Sequence, residues 1–269
     1  MKKTLCAAAL AAALGWGAAA QADDGVIRIG FITDMSGLSA DADGPGGAEA
    51  IKMAIADFGG SVAGKKIEVL VADHQNRADI ASSRAREWLD QKGVNMLIAG
   101  ANSAAALAMA KVAEEKKTPF FVVSAGASEL TNSQCTPYTV HYVYDTVSLA
   151  RGTARAMLKE GNKDWFFLTV DHAFGQALER DASAVVTADG GTVKGRVRHP
   201  LNTADFSSFI LQAQASGATV LGLANSANDT SNAVKAAAEF GLTPKMKIAG
   251  LLVLITDIHA LGLACLLYT

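Results

Sequence analysis

The sequence predicts an α/β protein of two lobes, each a parallel sheet flanked by helices. Apolar runs of strand length alternate with amphipathic segments of helix length along most of the chain. The alternation breaks once, between Ser124 and Asp145, and then restarts. Half of the 269 residues are apolar and only 6% are aromatic, enough for two cores of Ala, Val, Leu and Ile.

Val26–Thr33 is near-continuously apolar, as a parallel strand covered on both faces must be. Gly46–Phe58 carries Ile51, Ile55 and Phe58 at helical spacing. Strand Ile67–Val71, helix Ala78–Gln91, strand Met96–Ala99, helix Ser103–Lys117 and strand Phe120–Val123 continue the alternation. The interruption holds Thr131-Asn132-Ser133-Gln134 and Pro137, which favour turns, and then an aromatic strand, Thr139–Tyr144. The second set is helix Thr146–Glu160, strand Asp164–Val170, helix Ala173–Asp189, strand Thr192–Val197, helix Ala204–Ser216, strand Thr219–Ala224, helix Asn228–Phe240 and strand Lys247–Leu254. Ile255–Thr269 begins another helix. Gly250–Leu267 has the length of a membrane span, but Asp257 and His259 in its middle assign it to a core as strand plus helix. The expected lobes are residues 23–143 and 144–269, the second incomplete.

Residues 1–22 stand apart from this pattern. Lys2 and Lys3 precede the apolar stretch Leu5–Trp16, and Ala20-Gln21-Ala22 forms a small-x-small cleavage site. That layout is a secretory signal peptide, too short in its apolar part to anchor, and it directs the chain to the periplasm. Its removal takes away two lysines, so 24 basic against 26 acidic residues become 22 against 26. A mildly acidic chain without a basic block argues against nucleic acid or an anionic membrane as partner. Cys135 and Cys265 remain, far apart, so no disulfide framework is expected and Cys135 reads as a small buried apolar residue.

Signals for catalysis are missing. There is no Gly-x-Ser-x-Gly elbow, and the five histidines lack zinc spacing. Asp41-Ala42-Asp43-Gly44 resembles the start of a calcium loop without the remaining ligands. Asp73 and His74 end a strand, but no third partner accompanies them, so turn or edge hydrogen bonds are expected there. The chain is therefore expected to be no enzyme and to need neither metal nor cofactor.

Ligands of open parallel sheets bind beyond the carboxyl ends of the strands. The first such loop, Asp34–Ser39, leads to Gly44-Pro45-Gly46-Gly47; Glu49 occupies the third glycine position of a dinucleotide fingerprint, so a flexible cleft-edge loop is expected. In Gly100-Ala101-Asn102-Ser103, Asn102 or Ser103 can cap the following helix, whose free amides suit a carboxylate. A cap without a ligand is equally open. Ser124-Ala125-Gly126 lets a ligand approach the backbone, or forms a plain tight turn. Phe174 in Asp171–Gly175 either stacks on a ligand or packs in the core, and Asn225, Ser226 and Asn228 add polar groups at the same edge.

An ordered set of short motifs carries a resemblance. It comprises Ile29-Gly30-Phe31, Asp34-Met35-Ser36-Gly37, Gly46-Gly47-Ala48, Ala72-Asp73-His74-Gln75-Asn76, Ser128-Glu129-Leu130-Thr131, Phe174-Gly175, Thr203-Ala204-Asp205-Phe206 and Ala237–Leu242. From Val26 to Gly262 the chain resembles the branched-chain amino acid binding proteins of ABC importers, the leucine-binding type of type I periplasmic binding protein. The resemblance implies two lobes that hinge shut over a solute and deliver it to an inner-membrane permease with paired ATPases. It also implies a longer chain, whose closing segment lies beyond residue 269. Ser103 matches a carboxylate-binding serine, Ser124 a backbone contact, and Phe174 an aromatic that covers the ligand. Gly126 stands where a threonine is expected, Ser226 where a tyrosine is, and Leu252 where a glutamate meets the ligand's ammonium. A buried ammonium needs an anionic or carbonyl partner, and Asp145 beside the hinge either supplies it or caps helix 146–160. The leading solute is an amino acid or close analogue; the rival is an aromatic or short organic acid without an ammonium group. A ligand-sensing module of the same fold is the alternative to a transport receptor.

Overall fold

The structure, a computed structural model, describes residues 25–266, with side chains described to residue 262. Residues 1–24, with the expected signal peptide, and residues 267–269 lie outside the described residues.

The first lobe is a six-stranded sheet. Its elements are β1 (Val26–Thr33), α1 (Ala40–Asp43), α2 (Pro45–Asp57), β2 (Ser61–Val62), β3 (Lys65–Asp73), α3 (Ala78–Gln91), β4 (Val94–Ala99), α4 (Ser103–Lys116), β5 (Phe120–Val122), a 3₁₀ turn at Ser128–Leu130, and β6 (Thr139–His141). The strand order is β2-β3-β1-β4-β5-β6, parallel except for the short hairpin strand β2. Ile32, Leu97 and Phe120 are fully buried on one face with Met109 of α4 and Trp88 of α3. Phe31 and Ile98 face α2 through Ala48 on the other. Double coverage explains why β1 reads as a continuous apolar run. Small residues along α4 (Ala105, Ala106, Ala110, Ala113) are all buried and let it pack close to the sheet.

The second lobe comprises α5 (Thr146–Lys159), β7 (Asp164–Val170), α6 (Ala173–Ala188), β8 (Thr192–His199), α7 (Ser207–Ala215), β9 (Val220–Ala224), α8 (Ala227–Glu239), β10 (Lys247–Gly250) and α9 (Ile255–Leu266). Its parallel sheet runs β10-β9-β7-β8. Trp165 and Phe167 pack with Leu178 and Val186 of α6, while Leu168, Leu221 and Leu223 pack with Ile210 of α7 and Ala233 of α8. The fully buried Trp165 donates its indole N–H to the Asn162 carbonyl at 3.0 Å.

Several boundaries differ from those expected, each for a physical reason. The supposed flexible loop after β1 contains the helical turn α1, ordered by Asp34, which accepts from the Gly37 and Ser39 amides at 2.8 Å each. Helix α7 begins three residues late, because Thr203 gives its amide to Asp229 and Asp205 accepts from the Ser207 amide. Strand β10 stops at Gly250, so Leu251–Leu254 leave the sheet, and β6 ends at His141. Gly262, at φ 67°, kinks α9. Cys135, expected to be buried, is exposed on the turn where its amide meets the Asn132 carbonyl.

Candidate functional site

A cleft of about 590 Å³, counted out to its mouth, lies between the two sheets. Every parallel strand of both sheets sends at least one residue into its lining from the loop at its carboxyl end or the strand's last residue. From the first lobe come Leu38 and Ser39 after β1, Asn76 after β3, Ala101–Ser103 after β4, Ser124–Gly126 after β5 and Tyr144 after β6. From the second come Val170, His172 and Phe174 around the end of β7, Leu201 after β8, Ser226 and Ala227 after β9, and Leu252 and Leu254 after β10. Parallel sheets place all such loops on one edge, and here two edges face each other.

Three helices begin at this lining: α4 at Asn102–Ser103, α6 at His172 and α8 at Ser226–Ala227. Each brings the positive end of its peptide dipoles to the cleft. Asn102 caps α4 by accepting from the Ala105 amide at 2.9 Å, leaving the Ser103 and Ala104 amides without an acceptor among the described residues. Neither α6 nor α8 has a side-chain cap. Among the described residues, no Asp, Glu, Lys or Arg lines the cleft.

The floor is a polar network behind that lining. Asn76 donates to Asp34 at 2.5 Å and accepts from Asn102 at 3.0 Å, so the cap residue is itself held in place. Asp43 accepts from the Thr33 hydroxyl at 2.8 Å, from the Ala101 amide at 2.7 Å and from Ser124. Burial nevertheless pushes the Asp43 carboxyl above its ordinary range. Gly100 makes this approach possible: a β-carbon there would stand 2.1 Å from Thr33 Oγ1 and 2.4 Å from Asp43 Oδ2. His74 donates from Nε2 to the Ala101 carbonyl at 2.9 Å and meets the Asn76 amide at Nδ1, so its ring is held from both sides. Burial, with Asp43 nearby, pushes the Tyr144 phenol up to about 12, so it lines the cleft as a neutral hydroxyl. His172 is pushed down, by burial first and by His74 second.

A family model for periplasmic binding proteins matches residues 26–268. The chain belongs to the periplasmic binding protein family. The fold agrees with a Burkholderia mallei periplasmic binding protein of known structure, 63% identical with a TM-score of 0.88 over 89% of this chain and 64% of that one. A Rhodopseudomonas palustris BisB5 solute-binding protein of an ABC transporter, solved with 3,4-dihydroxy benzoic acid, is 29% identical with a TM-score of 0.75 over 84% of this chain and 61% of that one. The Leu/Ile/Val-binding protein homolog 6 of Brucella abortus is 30% identical over 74% of this chain and 50% of its own length. The chain thus spans about half the length of the curated relatives it matches.

In this periplasmic binding protein, Asn102, Ser103, Ser124, Gly126 and Phe174 come together in the cleft lining. Asp145 and Asn225 do not. Asp145 forms a capping box at the start of α5, accepting from the Ser148 amide at 2.7 Å while its own amide meets Ser148 Oγ. Asn225 is fully buried behind the cleft, bonded to His199 and accepting from Thr230. Asp73 and His74 are spent on loop contacts, Asp73 accepting from the Met35 and Gln75 amides and from Ser36. The selection made from sequence left out Asn76, Tyr144, His172 and Leu201. Asn76, His172 and Leu201 sit two or three residues past a strand end, the signal that could have found them; Tyr144 was hidden by being read as part of its strand.

Proposed function

We propose that this chain is the solute receptor of an ABC importer, exported to the periplasm, which captures a small organic acid by closing two lobes hinged near residues 143–144. The closed receptor then presents the solute to an inner-membrane permease. One observation carries the ligand class: three helix N-termini converge on a cleft whose lining, among the described residues, holds no carboxylate, ammonium or guanidinium side chain. Such a site favours one negative charge and offers no counter-charge to an ammonium. Leu252 stands where the leucine-binding type has its glutamate, and Asp43, behind the lining, is already committed to the Thr33 hydroxyl and the Ala101 amide. Phe174, Tyr144, Leu38, Leu201 and Leu254 give the remaining surface an apolar, partly aromatic character that fits a ring.

Ser103 supplies chemistry as well as position. Its Oγ accepts from the Ala127 amide at 3.1 Å, so its own O–H remains to donate to a carboxylate. Ser124 lines the cleft, and its hydroxyl also faces Asp43, so it serves a ligand through its backbone. The similarity to a protein named for leucine, isoleucine and valine favours a second reading, an amino acid. A thermal-shift screen decides between them. Benzoate-type acids are expected to raise the melting temperature at sub-millimolar concentration, with L-leucine, L-isoleucine and L-valine inert. A shift with the amino acids alone would reverse the ligand class, and turnover of any bound acid would overturn the receptor reading.

A further inference from the structure

Among the lining polar groups, Asn76 is bonded to Asp34 and Asn102, Asn102 caps α4, and Ser103 Oγ accepts from the Ala127 amide while keeping its own O–H. His172 differs from these. Its ring lines the cleft, and its Nε2 is buried without a hydrogen-bond partner among the described residues. Such an atom costs stability in the empty protein and is satisfied when a ligand brings a complementary group.

We infer that His172 is the specificity-determining contact of the second lobe, donating from Nε2 to the solute's carboxylate, and that binding draws a proton onto this ring. The inference rests on the organic-acid reading above. His172 precedes the first turn of α6 and shares the cleft lining with Asn102 and Ser103 at the start of α4, so a carboxylate placed between them bridges the lobes. A neutral ring in the empty cleft acquires a negative neighbour on binding, which favours its protonated form. The surrounding titratable groups do not supply that charge. His74 is fixed by two hydrogen bonds, and Tyr144 is a neutral phenol. Asp43 is turned toward Thr33, Ala101 and Ser124, and Asp171 toward Gln176 and Arg198. Asp229 holds the Asn202 and Thr203 amides, and His199 pairs with Pro200 and Asn225.

The sign is then fixed. Binding takes up a proton, so affinity tightens as pH falls toward the free-state titration of His172, which burial sets below the ordinary imidazole range. The limit is about tenfold per pH unit. Benzoate itself stays ionised above about pH 5, as carboxyl groups of this type do. The test is titration calorimetry of the chain with sodium benzoate, 4-hydroxybenzoate and L-leucine between pH 6 and 8, in phosphate and in Tris. Buffers of different ionisation enthalpy reveal proton uptake without any mutation. The expected result is uptake of a fraction of one proton with a benzoate-type acid, and a His172→Gln variant of unchanged melting temperature that binds more weakly, with no uptake and a flat pH profile. Zero uptake in the unmutated protein, or uptake that persists in His172→Gln, overturns the role of His172 while leaving the ligand class standing. Binding by neither acid, or by L-leucine alone, overturns the ligand class and this inference together.

Discussion

A β-carbon at Gly126 would lie 3.0 Å from Tyr144 Cε2 and 3.2 Å from Phe174 Cε2, so two rings close over the one position that lacks a side chain. Gly126→Thr, which restores the residue of the leucine-binding type, is expected to push both rings aside. It should cost about 1–3 kcal/mol of stability, read by thermal denaturation, and weaken an aromatic acid more than a short one. Ser103→Ala removes both the donor to the ligand and the acceptor for the Ala127 amide; carboxylate affinity should fall by about 1–3 kcal/mol in calorimetry. Unchanged affinity would remove Ser103 from the site. Asp229 gives a pH signature unrelated to binding. Burial pushes its carboxyl up to about 6 although the Asn202 and Thr203 amides pull the other way. Its contribution to stability is therefore greatest below its unfolded value near 4 and declines as pH rises through 6, and Asp229→Asn should flatten that part of a denaturation profile. At this scale the sequence was informative about chemistry and poor about direction. Ser103 and Phe174 were found because they follow apolar runs, yet Asn225 points into the core while its neighbour Ser226 meets the cleft, a difference of one position that no composition encodes.

Helix α4 carries its binding geometry in its first residues. Asn102 combines a φ of 93°, costly for a residue with a side chain, with a cap on Ala105 and a bond to Asn76. Asn102→Ala keeps the strain and loses the cap, so it should destabilise by about 1 kcal/mol; Asn102→Gly relieves the strain and should cost only a few tenths. Paired denaturation curves of the two variants check the order, and Ala at or above Gly would refute it. Element identity was legible because long apolar and amphipathic periods survive any context. The ends were not. Asp229, lying some two dozen residues away in the chain, decides where the segment before α7 stays extended, and Asp34 orders a turn that a local reading takes for loose loop.

Between the lobes, Asp181 of α6 accepts from Ser128 at 2.9 Å, as it does from Thr146 of its own lobe at 2.6 Å, and the adjacent Arg180 reaches Glu129 and Ser128. These contacts tie the 3₁₀ turn of the first sheet to a helix of the second, close to the chain crossing. Asp181→Ala leaves two buried hydroxyls without their acceptor and is expected to cost about 1–3 kcal/mol. Small-angle scattering should also show a larger radius of gyration for that variant without solute, shrinking on addition of a bound acid; identical curves would deny the contact any hold on lobe orientation. Two lobes were legible from a single break in rhythm, whereas this pairing joins residues more than fifty positions apart and leaves no pattern to read. The uncharged cleft lining has a consequence for the habitat of the molecule. Attraction toward an anion arises there from peptide groups at three helix ends set within a cleft, and buried or partly buried partners are screened less than exposed charges, for which the screening length is about 10 Å at 0.1 M salt. A capture surface of this kind would lose less of its grip in brine than one lined with lysine or arginine.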